Sequence, residues 1–150
     1  MTTGNDEFGL AELILEQTSD ALIYADLQGV IQRWNQAACS LFGYRSQEAL
    51  GASLDIIIPE HLRAPHWAGY HAAMKSGSLK LQGHPTVTRA VHKSGDKLYV
   101  EMTFALVKSA DGAAIGSVAM ARDVTERVQK ERAARIQQAA EKQGETPSRK

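Results

Sequence analysis

The strongest pattern in the chain runs from Lys97 to Val107, where Leu98, Val100, Met102, Phe104 and Leu106 recur at every second position. Period-two alternation puts all five on one side of a pleated strand, so this segment is predicted to be a half-buried strand. Two more alternating runs, Val87 to His92 and Ala114 to Arg122, flank it across Lys-Ser-Gly-Asp and Ala-Asp-Gly, which are turn sequences. Nearer the start, Ala21 to Asp26 and Val30 to Trp34 are separated by Leu-Gln-Gly, and Gly29 can supply the positive φ of a tight hairpin. Five strands are therefore expected.

Helical spacing appears elsewhere. Leu10, Leu13 and Ile14, with Phe8 before them, predict a short amphipathic lead helix ending near Gln17. Asn35 is placed to cap a helix through Ala37, Ala38, Leu41 and Phe42 that Gly43 stops, and Ser46 to cap a second short helix ended by Gly51. A longer helix is expected from about Glu60 to Lys75. Pro65 lies inside it without an N–H, which favours a split into a turn and a helix starting at Pro65. From Asp123 the strong helix formers of DVTERVQKERAARIQQAAEKQ predict a C-terminal helix, with Asp123 and Glu126 at capping-box spacing. The order strand, strand, helices, then three strands implies an α+β domain: a five-stranded antiparallel sheet, helices packed on one face, and flanking N- and C-terminal helices. The expected organisation is a flexible N-terminus over 1–9, a domain with its lead helix over 10–123, an output helix over 124–143 and a disordered tail over 144–150.

Composition narrows the chemistry. At 150 residues and 43% apolar content the chain can bury one core without disulfides or metal clips. Seventeen basic residues balance seventeen acidic ones, so no net field draws it to nucleic acid or an anionic membrane. Cys39 is the only cysteine, which excludes a disulfide framework and a Cys-rich zinc site. No apolar run approaches the roughly 18 residues a membrane span needs, and no signal-peptide pattern opens the chain, so a soluble cytoplasmic protein is expected. Neither a Gly-rich phosphate loop nor a Gly-x-Ser-x-Gly elbow is present, and no nucleophile is paired with a base, so no enzyme activity is expected.

The order of elements and five local motifs resemble the PAS family. They are LEQTSDALIYADLQGVIQRWNQAACSLFGY, SQEALG, IIIPEHLRAPH, VHKSGDKLYVEMTF and ARDVTER, together spanning about residues 10 to 127. The resemblance implies a sensory fold whose sheet and facing helices enclose a ligand cavity, with the segment ARDVTER passing its state to an output helix. With few residues after that helix, no kinase, cyclase or phosphodiesterase unit is expected. A separate kinase or transcription regulator is accordingly the expected downstream partner.

Within that family, haem-binding sensors hold iron through a histidine that follows a Pro-acid-x-x-Arg turn. Pro59, Glu60, Arg63 and His66 repeat this spacing. The resemblance thus implies haem b with His66 as its axial metal ligand, a role suited to a neutral imidazole. His84 falls near the position where some members place a sixth ligand, which would give a bis-histidine iron site. Thr86 stands where oxygen-binding members carry an arginine, a departure that separates haem binding from oxygen sensing. Met102, Phe104 and Leu106 would line the cofactor wall, with Lys80 or Arg63 available to its carboxylates. Which alternate set on Val87 to His92 faces the cavity is left open by pattern alone. Noncovalent flavin beside Trp34 and Trp67, or no cofactor, are the alternatives. His66 as an ordinary helix residue and His84 as a turn residue are the plain readings of both histidines. Leu10, Leu13 and Ile14 need cover, which a second copy would supply, so a homodimer through the N- and C-terminal helices is expected.

Overall fold

The computed structural model describes residues 3–80 and 83–144. Helix α1, Thr3–Gln17, leads into β1, Ala21–Asp26, and β2, Ile31–Trp34. Helices α2, Gln36–Phe42, and α3, Ser46–Ala49, follow, then a 3₁₀ turn, Leu54–Ile57, and the long helix α4, Glu60–Ser76. Strands β3, Thr86–Val91, β4, Lys97–Lys108, and β5, Ala114–Asp123, complete the sheet before helix α5, Thr125–Gly144. The strands lie in the order β2-β1-β5-β4-β3, every neighbouring pair antiparallel, which is the α+β arrangement expected from the sequence.

Local chemistry explains the first half. Asp26 Oδ1 accepts from the amides of Gln28 and Val30, and Gly29 sits at φ 77°, closing the β1–β2 turn. Asn35 caps α2 by accepting from Ala38 N, and Gly43 ends it in the left-handed region at φ 83°.

The register settles which residues face inward. Thr86 pairs with Met102, Thr88 with Val100 and Ala90 with Leu98, so these β3 residues share the face of the buried β4 stripe. Val87, Arg89 and Val91 therefore lie on the outer face. The inner face carries Ile31, Trp34, Ile23, Ala25, Ala119, Ala121, Val100 and Met102 into one core with Ala38 and Phe42 of α2. Helices α2, α3 and α4 cover this side.

Helices α1 and α5 occupy the outer side at opposite ends of the sheet. Glu12 pairs with Arg33 at 2.6 Å, and α1 also lies beside Leu22 and Tyr24 of β1. Helix α5 is tied to β4: Val124 N donates to Tyr99 O, Tyr99 N donates to Thr125 Oγ1, and Arg127 pairs with Glu101 at 3.2 Å.

Several expectations are corrected. Helix α4 is unbroken through Pro65. The missing N–H would have bonded the His61 carbonyl, and both residues are exposed, so water can take that acceptor. Arg45, not Ser46, is the N-cap of α3: Glu48 Oε1 accepts from Arg45 N, while the Ser46 hydroxyl donates to the Trp34 carbonyl. The capping box at Asp123 does not form, because Asp123 still pairs with Val100 in the sheet and Glu126 turns to Lys130. Asp123 Oδ1 nevertheless accepts from Thr125 N, serving one amide of the first turn. Helix α1 begins at Thr3, within the stretch over 1–9 for which flexibility was expected. Of the expected tail over 144–150, Gly144 ends α5 and the rest lies outside the described residues.

Candidate functional site

The 3₁₀ turn and the start of α4 are locked together by Arg63, whose Nε donates to Ile58 O at 3.1 Å and whose Nη2 donates to Asp55 O at 3.3 Å. Asp55 also receives Trp67 Nε1 at 2.7 Å. Arg63, His66, Trp67 and Tyr70 recur at helical spacing and occupy the side of α4 that faces the core.

Trp67 and Tyr70 fix how α4 sits on the sheet. The Trp67 ring lies against Gly29, where a Cβ would come within 2.1 Å of it. The Tyr70 hydroxyl donates toward the carbonyls of Asp26, at 2.5 Å, and Ala25, at 3.3 Å, and accepts from Ser117 Oγ at 3.3 Å. One phenol thus joins α4 to β1 and β5. Tyr70 was missed in reading the sequence, although its place one turn beyond His66 was the available signal.

His66 is half-buried between these rings, 4.8 Å from Trp67 and 5.8 Å from Tyr70 by centroids. Its Nδ1 is buried with no hydrogen-bond partner. Burial pushes its proton affinity below the ordinary histidine value, the Asp55 carboxylate opposes this, and His71 adds to the lowering. Burial likewise raises the Tyr70 phenol, so both groups are neutral near pH 7. A neutral imidazole with an unpartnered buried nitrogen suits a metal-ligand role, since ligation requires the uncharged ring.

Among the other candidates, Met102 is buried, and Phe104, Leu106 and Thr86 are half-buried on the same inner face that α4 covers. His84 is exposed in the turn before β3, and no hydrogen bond or ring contact joins it to His66 among the described residues. Lys80 is also exposed. Trp34 packs on Phe42 at 5.5 Å and donates to Tyr44 O, so both tryptophans are engaged in packing. Cys39 is half-buried, its sulfur 3.7 Å from Ser46 Oγ. Among the described residues no three His, Cys, Asp or Glu side chains gather as a metal site, and no helix is long and apolar enough to cross a membrane.

Comparison with known proteins agrees with this architecture. The family model described as the PAS fold matches residues 15–129. The chain is 28% identical over 118 residues to the oxygen sensor protein DosP of Escherichia coli, covering 78% of this chain and 14% of that protein. It is 42% identical over 53 residues to the sensor protein FixL of Bradyrhizobium diazoefficiens, covering 35% of this chain and 10% of that protein. The chain therefore spans about one-seventh and one-tenth of those relatives. In structure it resembles the PAS domain of a Colwellia psychrerythraea protein, with a TM-score of 0.70 at 21% identity over 81% of this chain and 99% of that one, a likeness of fold. Because the PAS-fold family model matches it over residues 15–129, most of its length, the chain belongs to the PAS-fold family.

Proposed function

We propose that this PAS domain is a sensory module of a signal-transduction system that holds haem b through His66 and signals through α5 as a homodimer. The observation that carries the reading is the state of His66: a neutral imidazole on the inward side of α4, its buried Nδ1 without a partner. Its position also repeats the spacing that marks the axial ligand in haem-binding PAS sensors, and a relative matched over most of the domain is named an oxygen sensor. Bound haem would supply an iron whose ligand or redox state differs between signalling states.

The chain's own residues would do the rest. Met102, Phe104 and Leu106 provide an apolar wall, and Thr86 adds a hydroxyl where oxygen-binding members carry a guanidinium. The proposal therefore separates haem binding from tight oxygen binding. His84, exposed in the turn before β3, would be the second histidine ligand to the iron. Strain at His66 would reach Tyr70 one turn along α4, then Ser117 on β5, whose far end runs directly into α5. That coupling is limited by the difference in ligand affinity between the two arrangements of the terminal helices.

A second reading, a cofactor-free adaptor that dimerises beside a separate kinase or transcription regulator, is favoured by the apolar stripe of α1. Leu10, Leu13 and Ile14 are 59%, 55% and 58% exposed. Nothing in the packing of Trp34 or Trp67 favours flavin. Reconstitution with haem, compared between the wild type and His66→Ala, tests the first reading against the second.

A further inference from the structure

Between α5 and the outer face of β3 and β4 lies a groove of about 480 Å³. This volume falls within the roughly 300–1,000 Å³ typical of small-ligand sites. Its floor is apolar, formed by Val87, Tyr99 and Val128, and its walls are cationic. Arg89 enters from the sheet, while Arg127, Arg132 and Arg135 enter from α5.

Only one of these guanidiniums is neutralised. Arg127 pairs with Glu101 at 3.2 Å and lies 3.9 Å from Glu131, the acidic residue lining the groove. Arg132 lies over the Tyr99 ring, 4.8 Å from its centroid. Among the described residues no carboxylate lies within ion-pair distance of Arg89, Arg132 or Arg135. Arg89 Nε is in addition buried without a hydrogen-bond partner. Three unpaired cations lining one groove repel one another, and a buried donor left unsatisfied is costly, so the arrangement is complementary to a multiply charged anion. Planar guanidinium forks match phosphate oxygens bidentately, and Val87 and Val128 offer an aliphatic surface to the organic part of such a ligand, the Tyr99 ring being covered by Arg132.

We infer that the α5–β3 groove is a second ligand site, which takes a small phosphorylated molecule of the nucleotide class. Such a ligand would bridge Arg89 on the sheet to Arg132 and Arg135 on the output helix. It would act on α5 directly, with Leu62 of α4 also at the edge of the groove, and the inference does not depend on haem.

Isothermal titration of the full chain, in buffer free of phosphate, with inorganic pyrophosphate and with ADP tests this. Saturable binding of both is expected, weakened about tenfold by Arg89→Gln and by Arg135→Gln, the loss of one charge-assisted contact. Arg135 is exposed on a solvent-facing helix, so its variant keeps the test independent of folding. Arg45→Gln, at an exposed arginine on the cap of α3, should bind as the wild type does. Absence of saturable binding by both probes, or equal weakening in Arg45→Gln, would overturn the inference.

Discussion

The side-chain oxygen of Asn35 accepts the backbone amide of Leu22 at 2.9 Å, tying the N-cap of α2 to the start of β1. The same oxygen takes Ala38 N at 3.0 Å, and Asn35 Nδ2 donates to the carbonyls of Leu15 and Asp20 at 3.0 Å each. A single amide, 2% exposed, therefore joins α1, β1 and α2. Replacing it leaves several backbone groups unsatisfied at once. Asn35→Ala is expected to destabilise the domain by about 3 kcal/mol, read from the shift in urea midpoint. Asn35→Asp keeps the acceptor but turns an anion toward two carbonyls, and should fare no better.

Trp67 and Gly29 make a second test of how α4 is seated. A methyl group at Gly29 would lie 2.1 Å from the Trp67 ring, at a backbone φ of 77°. Gly29→Ala should cost about 2–4 kcal/mol from overpacking and left-handed strain together. Gly51→Ala, at φ 85° with open space around it, carries the strain alone. The difference between the two variants isolates the Trp67 contact, and tryptophan fluorescence should change only in the first.

His66 predicts a pH dependence for the ligand-free protein. Its folded-state proton affinity is lowered by burial, so the unfolded chain binds more protons as pH falls through the ordinary histidine value. Stability attributable to His66 should be fully present above about pH 6.5 and decline below it. Denaturation midpoints from pH 8 to pH 5 should fall more steeply in the wild type than in His66→Leu. Parallel curves would show that His66 does not titrate differently in the folded state.

The α1 stripe predicts self-association. Light scattering behind gel filtration should give a dimer for the wild type and a monomer for Leu10→Asp combined with Ile14→Asp. These side chains are exposed in the single chain, so the change should leave its fold intact. A wild type that stays monomeric at every accessible concentration contradicts the dimer.

What could be read from the sequence was what local chemistry decides. The cap of Asn35 on Ala38, the stop at Gly43 and the turn at Gly29 are set by neighbours within a few residues and follow from type and position, whereas the bonds of Asn35 to Leu15, Asp20 and Leu22 do not. The facing of β3 did not, because Thr86 and Val87 differ only through pairing with a strand more than ten residues away. For the same reason the Arg89 groove was invisible. Pro65 misled because the solvent exposure of His61, which makes the lost bond cheap, is a tertiary property. At the site, the resemblance carried by Pro59, Glu60, Arg63 and His66 singled out His66, and which side of α4 that residue occupies came only from the fold. The contacts of Tyr70 with Asp26 and Ser117, 44 and 47 residues away, left no trace that a motif could carry.

The most direct test of the proposed function is a titration of the purified protein with haem, followed by its absorption spectrum, alongside His66→Ala. The account predicts an intense Soret band that saturates at one haem per chain in the wild type and is lost or shifted to a free-haem spectrum in the variant. A wild type that acquires no such band, or a variant that binds haem with the same spectrum and stoichiometry, contradicts it.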